Sequence, residues 1–154
     1  MSWVSVCALL SVVAAGVAAQ DAAPPPAAPI VPVAAADEVI VFEGLNYRGE
    51  WMRLKVGTEV PDLRKSPGGN WGDRITSVKV GTDAVAVLYS SADFSGICLG
   101  LPGASFGGAG YYPNLSKVKN KDLFATLRDY TRSVRVLGNG TDLAKACAPP
   151  KRTK

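Results

Sequence analysis

The chain has no histidine among its 154 residues. That excludes a Ser-His-Asp or Cys-His nucleophile system, any His-ligated zinc or haem site, and the usual proton shuttle at neutral pH. Carboxylate-only chemistry survives that exclusion, but glycosidase-type catalysis needs two acids facing each other across a cleft. No acid pair in the sequence stands out, and the reading is that the protein is not an enzyme. Cysteine is scarce, with three in all. The formal charge of +4 is spread among acids, and the one basic cluster is the C-terminal "CAPPKRTK". Nucleic-acid binding calls for a basic stripe with interleaved aromatics, and none is present. No long helical periodicity runs anywhere in the chain.

The first twenty residues, "MSWVSVCALLSVVAAGVAAQ", carry no charged side chain. An apolar run ending in small residues near Ala18 to Gln20 reads as a secretory signal over 1–20. The rival is a membrane anchor, for which the run is only marginally long enough. Cleavage leaves a secreted, extracellular protein with no stable membrane insertion and an extracellular partner that the sequence does not identify. Residues 21–37, "DAAPPPAAPIVPVAAAD", are dominated by proline and alanine. Proline disfavours helix interiors and sheet ladders, so this stretch is expected to be a disordered, extended linker. One domain is expected over 38–137, with a tail over 138–154. Cys7 leaves with the signal. Cys98 and Cys147 remain, and in an oxidising compartment they most simply pair, closing a loop of about 50 residues. Separate thiols, or an intermolecular bond through Cys147, are the alternatives.

Within the domain, "EVIVFEG", "EWMRLKVG", "RITSVKVG", "DAVAVLYS", "GICLGL" and "TRSVRVL" read as short strands. They are rich in β-branched residues or alternate with period two. In "RITSVKVG" the alternation sets Ile75, Ser77 and Lys79 against Thr76, Val78 and Val80. Clusters of glycine, proline, asparagine and aspartate separate the strands, which predicts an all-β sandwich or barrel of antiparallel sheets. "VPDLRKS" and "NKDLFATL" each have room for one helical turn.

The strands repeat. "VFEGLNYRGEWMRL" aligns with "LYSSADFSGICLGL", setting Phe42 over Tyr89, Tyr47 over Phe94 and Gly49 over Gly96. "VPDL" then aligns with "YPNL", and "GDRITSVKV" with "RDYTRSVRV", setting Ser77 over Ser133. Two motifs result, 38–81 and 84–137. They resemble the βγ-crystallin family, whose Greek-key motifs each open with aromatic-x4-aromatic-x-Gly. The resemblance implies a double Greek-key sandwich of two antiparallel sheets. Each opening strand folds onto the next as a bent hairpin. Gly49 and Gly96 supply conformations closed to residues with a Cβ, and the aromatic pair covers the corner. Ser77 and Ser133 hydrogen-bond back onto it.

In microbial members the resemblance also implies calcium, bound through Asn/Asp-Asn/Asp-x-x-Ser/Thr-Ser. Each ion is shared between motifs and held by hard oxygen ligands. Here the first copy reads "GDRITS", retaining Asp73, Thr76 and Ser77 but with Gly72 at the first position. The second reads "RDYTRS", retaining Asp129 and Ser133 but with Arg128 and Arg132. Arg132 stands where the hydroxyl ligand belongs, and a guanidinium does not ligate a cation. Its charge is free to pair with Asp73 or Asp129. The expectation is zero or one weak calcium site. It would be built from Thr76, Asp129 and backbone near Ser90 and Tyr130, with the carbonyls of Glu43 and Ser90 facing the ion positions.

"NLS" at Asn114 and "NGT" at Asn139 are glycosylation sequons. "ASFGGAGYY", Ala104 to Tyr112, reads as a flexible loop whose rings either form a binding edge or fold over the core. Two function classes follow. One is a secreted structural or stress-protective domain. The other, implied by resemblance to secreted microbial members of the same fold, is an antimicrobial, killer-toxin-like or protease-inhibitor-like binding protein acting through its loops.

Overall fold

A computed structural model describes residues 30–118, 130–138 and 140–148. Eight strands form two antiparallel four-stranded sheets. They are β1 (Glu38–Phe42), β2 (Trp51–Lys55), β3 (Glu59–Val60), β4 (Ser77–Val80), β5 (Val85–Ser91), β6 (Ser95–Pro102), β7 (Tyr111–Tyr112) and β8 (Ser133–Leu137). The first sheet runs β2-β1-β4-β7 and the second β3-β8-β5-β6. Each motif therefore keeps three strands in its own sheet and lends its short third strand to the other. β3 of the first motif pairs with β8, and β7 of the second pairs with β4. This exchange makes one double Greek-key sandwich of the two repeats.

The alternation along the strands decides which face is core. Val39, Val41, Leu54, Val78 and Val80 point inward from the first sheet, meeting Ala86, Leu88, Leu99, Leu101, Val134 and Val136 from the second. Leu63 and Leu115, each on a short helical turn between the third and fourth strands of its motif, plug the two ends and are fully buried. One turn is the one expected in "VPDLRKS". The segment "NKDLFATL" lies outside the described residues.

The predicted strand at "RITSVKVG" begins later than expected, at Ser77. Asp73 takes a left-handed φ of 60°, and the chain bends through 74–76 before pairing starts. Ile75 therefore joins the core beside Val78 rather than sharing a face with Ser77 and Lys79.

Both outer faces are covered by the chain ends. On the first sheet the last residues of the proline- and alanine-rich stretch, expected to be disordered, are tied down from Pro32 onward. Lys79 Nζ donates to the Pro32 carbonyl at 2.9 Å, Ala35 N–H donates to the Glu38 carboxylate at 3.2 Å, and Gly81 leaves no room for a Cβ against the Ala35 carbonyl. Ile40 points out of the sandwich on this face yet is fully buried. Residues 21–29, like the whole of 1–20, lie outside the described residues. On the second sheet, Val85, Val87 and Tyr89 are covered by α1 (Leu143–Ala146) and by Cys147, which is disulfide-bonded to Cys98. Leu143 packs on Gly100, and the Tyr89 hydroxyl donates to the Ala146 carbonyl at 2.7 Å. The expected Cys98–Cys147 pairing is thus present, with the tail docked up to Ala148 as an element of the structure. Among the described residues no helix is long and apolar enough to cross a membrane.

Candidate functional site

The two hairpin corners are built alike. Phe42 and Tyr47 meet edge-on, with ring centroids 5.5 Å apart, and Tyr89 and Phe94 do the same at 5.8 Å. Gly49 and Gly96 sit at φ 78° and 79°, as an L residue rarely does. Ser77 Oγ donates to the Gly44 carbonyl at 2.6 Å and accepts from Tyr47 N–H at 3.0 Å. Ser133 Oγ donates to the Ser91 carbonyl at 2.7 Å and accepts from Phe94 N–H at 3.1 Å. The two serines are completely buried, so each corner would lose a satisfied donor and acceptor without them. Sequence reasoning missed that the second aromatic of each corner is itself left-handed. Asn46 and Tyr47 have φ 54° and 62°, and Asp93 and Phe94 both have φ 55°. The available signal was Asn46 and Asp93, residue types that tolerate this region. Lys79 adds its ammonium over the Tyr47 ring, 4.9 Å from the centroid, and burial lowers its pKa.

Beside each corner lies one of the two seats that a shared cation would take. In the first, Thr76 N–H donates to the Phe42 carbonyl at 2.9 Å, and Thr76 Oγ1 donates to the Glu43 carbonyl. Two oxygens of the expected ligand set therefore meet here, at the point where the first corner joins β4. Asp129, which the second motif would contribute, lies outside the described residues. Tyr130 is exposed, and among the described residues no hydrogen bond joins it to Thr76.

In the second seat, Arg132 N–H donates to the Tyr89 carbonyl at 2.8 Å, mirroring Thr76 and Phe42. Ser90, the residue after Tyr89, falls with Arg132 by this symmetry and not with Thr76, where the sequence reading had put it. Its hydroxyl accepts from Ile97 N–H at 2.8 Å. Asp73 enters this seat from the first motif. Its N–H donates to the Thr131 carbonyl at 2.9 Å, and its carboxylate takes both contacts of Arg132 Nε, at 2.7 Å to Oδ1 and 2.6 Å to Oδ2. Asp73, one of the two acids expected to pair with Arg132, does so; the other, Asp129, lies outside the described residues. The guanidinium thus lies on the carboxylate that would otherwise face a cation. Among the described residues no group of three or more acidic, histidine or cysteine side chains could hold a metal ion.

The loop Ala104 to Tyr112 resolves into a short helical turn, Ala104–Phe106, followed by β7. Phe106 packs with the cluster under α1, and Tyr112 packs on the core with its hydroxyl donating to the Pro102 carbonyl at 2.7 Å. Tyr111 alone turns outward, 59% exposed, and meets the edge of Tyr47.

The fold recurs in known structures. A domain solved in work on the evolution of the eye-lens βγ-crystallin domain fold superposes with a TM-score of 0.54 at 22% identity, covering 70% of this chain and 91% of its own. The chain has the βγ-crystallin fold. The βγ-crystallin domain of the Abundant Perithecial Protein of Neurospora crassa, in its Ca2+-bound form, matches with a TM-score of 0.52 at 19% identity, covering 72% of this chain and 99% of that one. The N-terminal domain of protein S matches with a TM-score of 0.51 at 20% identity, covering 68% and 99%. A family model described as peptidase inhibitor family I36 matches residues 35–101, from Ala35 in the N-terminal arm to β6. No curated protein matches.

Proposed function

We propose that the protein is a secreted, non-enzymatic βγ-crystallin-type domain with a structural or stress-protective role. Its second seat is closed to calcium, and at most one weak calcium site remains. The Arg132–Asp73 pair carries this reading, because it puts a fixed positive charge where an ion would need an anionic oxygen. The site that remains would use the Thr76 hydroxyl, the Glu43 carbonyl, Asp129 and the Tyr130 backbone. Such a set has one carboxylate and mostly neutral oxygens, which suits low affinity. Secretion is supported by the uncharged, small-residue-ended leader over 1–20. Melting of the purified mature protein with chelator and with millimolar calcium tests the reading. The expected gain in melting temperature is small or nil, because a ligand of the folded state stabilises in proportion to its occupancy. A gain of more than about 10 °C, worth roughly 2 kcal/mol or more for a domain of this size, would overturn it.

A second reading, a secreted inhibitor of peptidases acting through its loops, is favoured by the family match over residues 35–101. Stoichiometric loss of activity when a panel of secreted peptidases is mixed with the protein supports it. A panel left fully active at micromolar protein argues for the structural role.

A further inference from the structure

Among the described residues β2 is the edge strand of the first sheet and pairs with β1 alone. Its outward-facing peptide groups follow from the ladder. Glu43 N–H donates to the Glu50 carbonyl and Val56 N–H to the Asp37 carbonyl, so these are the hydrogen-bonded pairs of the β1–β2 register. Bonded and non-bonded pairs alternate, so Met52 and Leu54 turn their N–H and C=O groups toward β1, and Trp51 and Arg53 turn theirs away. Among the described residues nothing accepts from or donates to those outward groups. An unpaired strand edge is a template for another extended chain.

A second feature lies along the same edge. A groove of about 800 Å³ opens between β2 and β3, where the two sheets gape. Its apolar wall includes Met52, Leu54, Val60, Pro61 and Pro67. A strand laid on β2 would turn alternate side chains into this groove and the others onto the outer face of the sheet. On that outer face β2 presents Trp51, Arg53 and Lys55, opposite which acidic side chains are the complementary choice. Arg53 already holds Glu38, whereas no ion pair engages Lys55 among the described residues.

We propose that the β2 edge is a docking site for an extended segment of another protein in which acidic and apolar residues alternate. The added strand hydrogen-bonds to the backbone of Trp51 and Arg53. Its apolar side chains enter the groove over Met52 and Leu54, and its acidic ones lie beside Arg53 and Lys55. Affinity comes from the backbone ladder and selectivity from the alternation.

The test is a titration of the purified mature protein with an end-blocked Glu-Val-Glu-Val-Glu-Val-Glu peptide. The expected result is saturable binding below about millimolar, weakened about tenfold between low salt and half-molar salt. It should be lost when alternate peptide nitrogens are methylated. Arg53→Pro removes an outward-facing N–H together with the side chain that holds Glu38, and proline is tolerated at an edge, so it should abolish binding with the fold retained by circular dichroism, whereas Arg53→Ala, which keeps the N–H, should only weaken it. Lys55→Gln should weaken binding about threefold with little change in the melting temperature. No saturation at millimolar peptide overturns the proposal, as does equal binding of the methylated peptide. A dimer of the protein itself that is lost in Arg53→Pro also overturns it, because the edge would then belong to a second copy.

Discussion

Ser77 ties the first corner together from beneath. It is completely buried, and its hydroxyl serves Gly44 and Tyr47 at once, on a stretch where Asn46 and Tyr47 are both left-handed. Left-handed non-glycine residues cost about 1 kcal/mol or more each and persist only where their surroundings hold them. Removing the hydroxyl leaves a buried donor and acceptor unmet. Ser77→Ala should therefore cost about 1–3 kcal/mol in denaturant unfolding, and Ser133→Ala a similar amount. A cost below about 0.5 kcal/mol for both would show that the corners stand without them. The sequence carried this pair plainly, because the same serine follows the same aspartate in both repeats. The left-handed aromatics were hidden, since nothing in Tyr47 or Phe94 as residue types favours a positive φ. Ser90 was misplaced for a related reason: the repeat gives residue equivalences but does not say which half of a shared seat each equivalent joins.

At the scale of elements, the two chain ends act as covers, and each makes its own prediction. α1 is a single turn, too short to hold itself, and it is fixed by Cys147 on Cys98, by Leu143 on Gly100 and by the hydrogen bond from Tyr89. A bridge across 49 positions restricts the unfolded chain by about 4 kcal/mol in the loop-entropy model. Cys98→Ser with Cys147→Ser should lower stability by a few kcal/mol and open the chain near α1 to protease first. Unchanged resistance to cleavage there would contradict the account. The N-terminal arm is held differently. The Glu38 carboxyl accepts from Ala35 N–H, which chiefly lowers its pKa below 4.5, with Arg53 adding to the effect. Asp62 is likewise held below 3.8, first by the Arg64 side chain and then by the Arg64 N–H. Both carboxyls take up protons more readily in the unfolded chain. Their contribution is therefore complete above the ordinary carboxylate range and is lost as pH falls through the lowered folded values. The melting temperature should stay flat from neutral pH to about 5 and decline below about 4. Glu38→Gln should remove part of the decline. The arm was unreadable in sequence because alanine and proline suit a tether and a docked cover equally well. The face it protects, around Ile40, shows only once β1 is placed between β2 and β4.

For the whole molecule, the repeat made the fold legible before any coordinates. Two copies of aromatic-x4-aromatic-x-Gly, each followed by a Ser-Val strand, leave few ways to bury both. The exchanged third strands, β3 and β7, are two residues each and carry no alternation to read. They were invisible for that reason, although they join the halves. The seats were half legible. Arg132 in the hydroxyl position is a sequence fact. Its union with Asp73 depends on how the two motifs face each other. The central claim is that this pair closes one cation seat, leaving at most one weak site at Thr76. Calorimetric titration of calcium into the purified protein and into Arg132→Ser tests it most directly. The account predicts no more than one weak site in the natural chain and one additional or distinctly tighter site in the variant, with a higher melting temperature in calcium. Two tight sites in the natural chain, or identical titrations for the two proteins, would contradict it.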